Sequence, residues 1–371
     1  MKRIGLVCEY NPFHNGHIYH LTKAREVCGD GLIIAVLSGY FSMRGDVSVI
    51  NKYDKVKTAI DHGIDITLEL PYLLSTQNAD IFAYNAVKTL NFIGIDEIVA
   101  GSESCDLDAI IKTYELSKQD DFNDDIKEYL DKGFSYPKSF AEALLKYNIT
   151  LNSNDILNLK YYEAIKQINP NIKLTLIKRI NNNYNDKELN ETNIQSATSI
   201  RLASDIEKYV PKCINDIYLE KGFYDINKFT HILKYLVLTK DLSNTFQATE
   251  GIENSLKTNF NSIDELIEKI TSKRYTSSRI RRFISYILTD TNKDINLNEE
   301  LLVRVTGFNE KGQKYLSSIK KETKYFTRLT NGINSIYDKE IQLAKIFTDI
   351  YNEDFMKMEQ LLPYRTKKDG N

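Results

Sequence analysis

A series of short apolar runs in the first half of the chain constrains the fold most strongly. Five runs rich in Ile, Leu and Val are too short for helices and are bounded by turn residues, which is typical of buried strands. They are RIGLVCEY (3–10), GLIIAVLSG (31–39), DITLELP (65–71), IDEIVAGSE (95–103) and IKLTLIKRI (172–180). Strands connected through helices pair in parallel by right-handed crossovers. The sequence therefore predicts an α/β fold with a doubly wound, Rossmann-like parallel sheet, whose ligand lies at the carboxyl ends of the strands.

The pattern changes in the second half of the chain, beyond a polar linker at 181–193 and about residue 205. Apolar side chains then recur at helical spacing, and no comparable run of strand signals appears. The clearest series are Phe229, Ile232, Leu233, Leu236, Val237 and Ile280, Phe283, Ile284, Ile287, Leu288. A chain of 371 residues suits two domains. We therefore expect a sheet domain at 1–205 and a mostly α-helical domain at 206–371.

The net charge of −2 conceals an uneven distribution along the chain. Residues 271–330 carry 13 Lys and Arg against 6 Asp and Glu, so this segment is +7 and the remainder is −9. Basic charge confined to one segment of an acidic chain is typical of a nucleic-acid contact. A solvated helix face explains the same charge equally well.

Other features narrow the class of protein. No apolar run approaches the roughly 20 residues that a membrane-spanning helix needs. Glu9 and Asn11 interrupt the basic N-terminal stretch before a signal-peptide core forms. The four cysteines are scattered and match no zinc spacing, which favours a reduced compartment. We therefore expect a cytoplasmic protein without a structural metal or a membrane partner.

Three of the five histidines, His14, His17 and His20, follow directly after the first predicted strand. Pro12 removes a backbone donor and ends the strand, and Gly16 lets the backbone approach a bound group closely. A helix that begins near Gly16 would offer free amides and its positive dipole end to a phosphate. Imidazoles at 14 and 17 could then donate hydrogen bonds to phosphate oxygens as their charge grows during displacement. Ordinary histidines around a tight turn are an equally good explanation from these residues alone.

The string HNGH after a strand resembles the H-x-G-H signature of the HIGH-type nucleotidylyl transferase superfamily, which forms adenylates on a Rossmann-like sheet. The longer string EYNPFHNGH resembles the tRNA(Met) cytidine acetate ligase family. Further matches follow in order along nearly the whole chain: SGYFSMRGD, ITLELP, ADIFAYNAV, GSES, SNDILNLKYYEAI, IKRI, SATSIR and KRYTSSRIRR. Two positions depart from the family pattern, because Ala100 replaces a frequent aromatic residue and Asn158 a small one. Neither change removes a group that the reaction requires.

The resemblance implies an ATP site with His14 and His17 as its catalytic residues. The implied ATP-binding residues are Val7, Cys8, Glu9, Tyr10, Asn11, Pro12, Phe13, His14, Asn15, Gly16, His17, Ile18, Tyr19, His20, Gly101, Asn154 and Arg179. The chemistry of the last three leaves other roles open, such as a strand-ending turn at Gly101 and a helix N-cap at Asn154.

A hydroxyl-rich segment, SATSIR, is similar to the Ser-Ser-Thr-x-Ile-Arg motif with which related adenylyltransferases hold a triphosphate. We expect Thr198, Ser199 and Arg201 to contact phosphate here. Ala197 replaces the motif's second serine, so one hydroxyl contact is missing. An ordinary helix N-cap is the alternative.

The segment KRYTSSRIRR is the candidate RNA-binding element. It places Arg279 and Arg282 on one helical face, and Lys273, Arg274 and Tyr275 at the helix start. Cations on one stripe suit phosphate contacts, and the tyrosine could stack on an unpaired base. The alternative is a solvated amphipathic helix.

The sequence leaves two possible roles each for Arg44 and Glu69. Arg44 in the SMRGD loop could clamp a small carboxylate or pyrophosphate, or form a surface salt bridge. Glu69, before Pro71, could be structural or a magnesium ligand.

The resemblance implies an ATP-dependent tRNA(Met) cytidine acetate ligase that uses Mg²⁺. Acetate would be activated as acetyl-adenylate with release of pyrophosphate, and the acetyl group would pass to the N4 amine of the wobble cytidine of elongator tRNA(Met). Residues 1–205 would carry the chemistry and residues 206–371 would bind the tRNA. A small-molecule nucleotidyltransferase of the cofactor adenylyltransferase type shares the histidine turn and SATSIR, but gives no reason for a basic second domain. A nucleotide-sensing RNA-binding module requires the histidines to be incidental.

Overall fold

The computed structural model describes residues 1–180 and 193–366, so the predicted polar linker lies almost entirely outside the described residues. The five apolar runs form strands, which confirms the prediction. They are β1 (Arg3–Cys8), β2 (Leu32–Ser38), β3 (Ile66–Leu70), β4 (Glu97–Ser102) and β5 (Lys173–Lys178). These strands are parallel, in the order β5-β4-β1-β2-β3. The chain runs outward from β1 to β3 and then crosses back to β4, so the strand order reverses between β1 and β4, where such sheets bind ligands.

Helices cover both faces of the sheet, and for this reason every residue of β2 and β3 is buried. The helices of the first half are α1 (Asn15–Cys28), α2 (Lys52–Asp61), α3 (Tyr72–Ser75), α4 (Ala79–Phe92), α5 (Leu107–Leu116), α6 (Asp120–Asp131), α7 (Tyr136–Leu145), α8 (Ser153–Ile168) and α9 (Ala197–Leu202). The predicted helical spacing at Ala83, Ala86, Val87 and Leu90 forms the buried face of α4. Helix α1 packs on the opposite face through Leu21 and Ala24.

The second half is mostly helical, as predicted. Its helices are α10 (Lys212–Lys221), α11 (Thr230–Thr239), α12 (Ile252–Ser255), α13 (Ile263–Ile270), α14 (Ser277–Leu288), α15 (Glu310–Ile319), α16 (Ser335–Tyr351) and α17 (Phe355–Glu359), with a 3-10 turn at Ile226–Phe229 before α11. The two predicted apolar series lie on this turn with α11 and on α14.

Strands in the second half are a feature that the prediction missed. Strand β6 (Val303–Phe308) pairs antiparallel with β3, while β7 (Tyr325–Phe326) and β8 (Tyr364–Arg365) pair with β6. The second half therefore extends the sheet of the first. The domain boundary at 205 stays a prediction.

A buried cluster of charges also joins the two halves. Lys52 of α2 pairs with Glu69, with Glu340 at 2.9 Å and with Glu359 at 2.5 Å. Arg304 of β6 pairs with Glu69 at 3.0 Å and with Glu359 at 2.5 Å. The sequence left two roles for Glu69, structural or magnesium-binding. In the structure, its carboxylate pairs with the side chains of Lys52 and Arg304. It contributes nothing to the walls of the cavity described next.

Candidate active site

A cavity of about 440 Å³ opens at the carboxyl ends of β1, β2, β4 and β5. Its walls come from the turn after β1, the loop after β2, the first turns of α4 and α8, the end of β5 and the segment before α9. It therefore lies at the reversal of strand order. Fourteen of the predicted ATP-binding residues line it: Val7, Cys8, Glu9, Tyr10, Asn11, His14, Gly16, His17, Tyr19, His20, Gly101, Asn154, Arg179 and Arg201.

Six other predicted ATP-binding residues lie behind the cavity wall: Pro12, Phe13, Asn15, Ile18, Thr198 and Ser199. The Phe13 ring is fully buried and packs edge-on against Tyr10, with ring centroids 4.7 Å apart. The Asn15 side-chain amide donates to the carbonyl of Lys208 at 3.0 Å, which ties the start of α1 to the chain after α9. These residues support the turn rather than line the space that a ligand would occupy. Their contact with ATP stays a prediction.

The two candidate catalytic histidines form the N-terminal cap of α1. Helix α1 begins at Asn15, one position before the predicted start near Gly16. His14 is the N-cap residue, and its Nδ1 accepts the Gly16 N–H at 3.1 Å. The Nδ1 of His17 accepts the N–H of His14 at 3.2 Å. Because each Nδ1 is an acceptor, the proton of each neutral ring resides on Nε2. The ring centroids are 3.8 Å apart, so both imidazoles lie side by side at one place in the cavity.

Burial keeps these imidazoles neutral. It lowers the pKa of His14 to about 3, with smaller contributions from the positive charges of Arg179 and Arg201. Burial and the neighbouring His14 and Arg179 lower the pKa of His17 well below its usual value. At neutral pH, each ring is therefore a hydrogen-bond donor without a charge.

His20 lies one turn further along α1 and also lines the cavity. Burial, followed by the charge of Arg179, lowers the pKa of His20 to about 4. Its Nε2 is buried and has no hydrogen-bond partner among the described residues. A buried polar atom of this kind is costly unless a ligand or water satisfies it.

Two arginines make the histidine end of the cavity positive. The Nε of Arg179 is buried without a hydrogen-bond partner within the described parts of the chain. A Cβ at Gly101 would lie 3.5 Å from its Cγ, so the glycine leaves room beside this side chain. Arg201 donates to the carbonyl of Asn11 at 2.8 Å and to the Thr198 hydroxyl at 3.2 Å, which fixes its guanidinium beside the turn. Fixed cations beside neutral donors suit a polyanion.

The N-cap alternative for SATSIR is present in the structure. Ser196 caps α9, and its Oγ accepts the Ser199 N–H at 3.0 Å. The Ser199 hydroxyl is buried and donates to the Ser196 carbonyl. Ser196 and Ala197, which the prediction left out of the site, line the cavity.

Asn154 has a partner that sequence reasoning missed. It lies in the first turn of α8, and both its backbone N–H and its Nδ2 donate to the Glu103 carboxylate, the former at 3.0 Å. Nδ2 is thus held toward Glu103, and the amide is fixed in one orientation. Asn158, a departure from the family pattern, donates to the Gly101 carbonyl at 3.0 Å and so braces the end of β4. The signal for Glu103 was its place in GSES, at the carboxyl end of a predicted strand run.

The loop after β2 forms the opposite wall. Glu9 accepts the Met43 N–H at 2.5 Å, and burial raises the pKa of this carboxyl group. Arg44 and Asp46 also line the cavity, and Asp46 pairs with Arg281 of α14 at 3.1 Å. The cavity thus has a cationic end and an end that carries both signs of charge.

The candidate RNA-binding residues differ in exposure. Lys273 and Arg274 are exposed, whereas Tyr275 is only 8% exposed and its hydroxyl donates to the Glu250 carbonyl. Arg279 pairs with the Glu250 carboxylate at 2.6 Å and lies over the Tyr275 ring, 5.3 Å from its centroid. Arg282 is largely buried. The structure therefore leaves the Tyr275 ring covered, and stacking on a base would require it to be uncovered.

In residues 1–180 and 193–366, no three His, Cys, Asp or Glu side chains come together to hold a metal ion. None of the helices in these ranges is long and apolar enough to span a membrane.

Comparison with known proteins gives matches along nearly the whole chain. Residues 1–362 match the HIGH Nucleotidyl Transferase family. The chain is 34% identical to a tRNA(Met) cytidine acetate ligase of Caldicellulosiruptor saccharolyticus, over 95% of both chains. It is 37% identical to one of Fusobacterium nucleatum, over 94% of this chain and 93% of the other. The apo crystal structure of Thermotoga maritima TmcAL superposes with a TM-score of 0.87 at 27% identity, covering 99% of this chain and 100% of the other. The structure of that protein bound with alpha-thio ATP gives a TM-score of 0.84 at the same identity and coverage.

Proposed function

The chain belongs to the HIGH nucleotidyl transferase family, together with its relatives named tRNA(Met) cytidine acetate ligase, and we propose that it carries out that ligation itself. Acetate attacks the α-phosphate of ATP, pyrophosphate leaves and acetyl-adenylate forms. The N4 amine of the wobble cytidine in elongator tRNA(Met) then attacks the acyl carbon, and AMP leaves with N4-acetylcytidine as product. The relatives' shared name and the bound ATP analogue of the structural neighbour support this assignment. The reaction would take place in the cytoplasm, where we expect the chain to reside.

The observation that carries the proposal is the pair of neutral imidazoles at the N-terminus of α1. With Nδ1 occupied by backbone N–H groups, the Nε2–H groups of His14 and His17 are the donors that remain for a ligand. Donors that are fixed before the reaction stabilise charge developing on phosphate oxygens without having to reorganise. Arg179 and Arg201 would neutralise the triphosphate in the same end of the cavity. This arrangement suits adenylate formation, in which negative charge moves onto departing pyrophosphate.

The nucleoside would lie between the ends of β4 and α8. Gly101 presents no side chain there, and Asn154 presents an amide whose orientation Glu103 fixes. Because Nδ2 is directed at Glu103, Oδ1 is the group that can accept a hydrogen bond from the 6-amino group of adenine. Guanine has a carbonyl oxygen at that position, so an acceptor directed at it favours adenine.

Mg²⁺ is expected to enter with the triphosphate. Mg²⁺ commonly takes one or two carboxylates together with substrate phosphate oxygens and waters, so the phosphates and waters would supply most of its ligands here. Such an ion would neutralise charge on the phosphates. The residues present fit an ion carried by substrate better than a resident one, because the described residues form no cluster of metal ligands.

Acetate must be activated, because the exocyclic amine of cytidine shares its lone pair with the ring and is a weak nucleophile. A mixed anhydride with AMP supplies a good leaving group. The tRNA would be held by the second half of the chain, where exposed Lys273 and Arg274 precede α14. Helix α14 contacts the cavity wall through Arg281 and Asp46, so RNA bound there would lie beside the reaction.

A cofactor adenylyltransferase is the alternative, since it would use the same histidine turn. The basic segment 271–330 favours the RNA substrate. ATP–pyrophosphate exchange, measured with and without acetate and followed by acetyl transfer to bulk tRNA, distinguishes them. We expect exchange only with acetate, followed by transfer. Exchange that is independent of acetate would contradict the proposal.

A further inference from the structure

Arg282 is a largely buried cation without a counter-ion. Its Nε has no accessible surface and no hydrogen-bond partner in the described part of the chain, and no described carboxylate pairs with its guanidinium. Its neighbours on α14 differ, because Arg279 pairs with Glu250 and Arg281 pairs with Asp46. A buried nitrogen donor without a partner is unfavourable in a fold, so a guanidinium in this position suggests an anion supplied from outside the chain.

The position of Arg282 links the helical half to the cavity. The loop after β2 packs so closely on α14 that a Cβ at Gly45 would lie 2.4 Å from the backbone N of Arg282. Arg44, next to this glycine, lines the cavity. Burial, opposed in part by Tyr286, and the positive charges of Arg279 and Arg44 lower the pKa of Arg282. Two guanidinium groups are therefore close together where the cavity meets the basic helix.

This place is distinct from the expected triphosphate site. Arg44 follows β2, whereas Arg179 follows β5, and two strands, β1 and β4, lie between these in the sheet. At about 4.8 Å per strand, the two strand ends are about 14 Å apart. One triphosphate held by His14, His17 and Arg179 would therefore leave the guanidinium of Arg282 without an anion.

We infer that Arg282, together with Arg44, holds one phosphodiester of the RNA substrate, adjacent to the nucleotide whose base enters the cavity. This inference rests on the proposed function, because it takes RNA as the acceptor. A guanidinium fork matches two phosphate oxygens, which a lysine cannot do. The contact would fix how far the acceptor nucleotide reaches toward the acetyl-adenylate. Arg282 is thus a positioning residue for the second half-reaction.

The first experiment compares Arg282→Gln, Arg282→Lys and a control, Lys314→Gln. Lys314 is exposed on α15 and pairs with Glu310, so the control removes equal charge from the same basic segment without emptying an anion site. We expect Arg282→Gln to leave acetate-dependent exchange unchanged and to reduce kcat/KM for acetyl transfer to tRNA about tenfold or more. Arg282→Lys should recover part of the transfer. The control should keep both activities.

Salt dependence of tRNA binding gives a second readout. Loss of one phosphate contact should reduce the slope of log K against log salt by about 0.7–0.9 in Arg282→Gln. An unchanged slope together with normal transfer would overturn the inference. A rise in the KM for acetate or ATP would also overturn it, because the anion would then be a small substrate.

The sharpest test changes the RNA instead of the protein. An anticodon stem-loop with one neutral methylphosphonate on either side of the acceptor cytidine removes one phosphate charge at a time. We expect one of these substitutions to slow the wild-type enzyme and to have no further effect on Arg282→Gln. If the losses of transfer rate caused by Arg282→Gln and by the methylphosphonate multiply when the two changes are combined, Arg282 does not contact that phosphate.

Thermal unfolding separates a binding role from a structural one. Because Arg282 pairs with no described carboxylate and its Nε is unsatisfied, its replacement should leave Tm unchanged or raise it. A fall in Tm with loss of both activities would overturn the inference. A different result would contradict the proposed function, namely ATP–pyrophosphate exchange by the wild-type enzyme without acetate. In that case, the salt dependence of tRNA binding still tests whether Arg282 contacts a phosphate.

Discussion

His14 has two tasks in the structure, and a pair of substitutions separates them. Its Nδ1 caps α1 by accepting the Gly16 N–H, and its Nε2–H is available to the ligand. His14→Ala removes both groups, whereas His14→Asn keeps a good capping side chain but lacks a donor at the reach of the imidazole. Loss of one preorganised donor to a developing oxyanion costs about 10²–10³-fold in rate. We therefore expect both variants to lose acetate-dependent ATP–pyrophosphate exchange by about that factor.

The same two variants, His14→Ala and His14→Asn, should differ in thermal stability. Loss of a helix N-cap lowers the free energy of unfolding by about 1 kcal/mol, so the alanine variant should melt about 2–4 °C below the asparagine variant. His62→Asn is a matched control, because its ring packs on Phe13, 5.0 Å between centroids, and it does not line the cavity. That control should keep its exchange activity. Near wild-type exchange by His14→Asn would refute the role assigned to Nε2–H.

Three further predictions concern the histidine pair, Glu103 and Lys52. The pKa values of His14 and His17 are lowered in the fold, so below about pH 6.5 the unfolded chain binds more protons than the folded one. The free energy of unfolding therefore falls as the pH drops below this value. Urea denaturation of the His14→Asn variant should show a shallower fall, and a pH dependence equal to that of the wild type would contradict this. Glu103→Ala should release the Asn154 amide and so raise the KM for ATP about tenfold and weaken discrimination against GTP, while tRNA binding stays unchanged. Equal discrimination in the variant and the wild type would exclude a role of Glu103 in positioning Asn154. Lys52→Met should lower the free energy of unfolding by about 3–5 kcal/mol, because it leaves three buried carboxylates with one cation fewer. Denaturant titration measures this change. A decrease in the free energy of unfolding below about 1 kcal/mol would contradict that account.

The sheet could be predicted because its signal is local in sequence. Strands β1 to β5 are short apolar runs, and their order of appearance with helices between them restricts the topology. The prediction missed strand β6, although VRVTGF alternates apolar and polar residues as a half-buried strand does. Arg304 is nevertheless buried, since Glu69 and Glu359 neutralise it from distant parts of the chain. Pairing over such separations leaves no mark in a local pattern.

The same limit applies to the site. The turn EYNPFHNGH carries several cavity-lining residues within one short segment, so the sequence could indicate that this segment lines the cavity. The clamp of Glu103 on Asn154 and the unpaired state of Arg282 arise only when separate elements meet. Tyr275 shows the same limit, because an aromatic residue beside cations suggested an exposed stacking surface, whereas Arg279 lies over its ring and its hydroxyl donates to the Glu250 carbonyl. Its contact with RNA stays a prediction.

The oxygen atoms of acetate test the central claim most directly. If acetate attacks the α-phosphate and the amine then attacks the acyl carbon, one acetate oxygen must remain on AMP. With ¹⁸O-labelled acetate, ATP and tRNA, mass spectrometry should find one ¹⁸O in AMP and the other in the carbonyl of N4-acetylcytidine. Unlabelled AMP formed alongside acetylated tRNA, or ADP in place of AMP, would contradict an acetyl-adenylate intermediate.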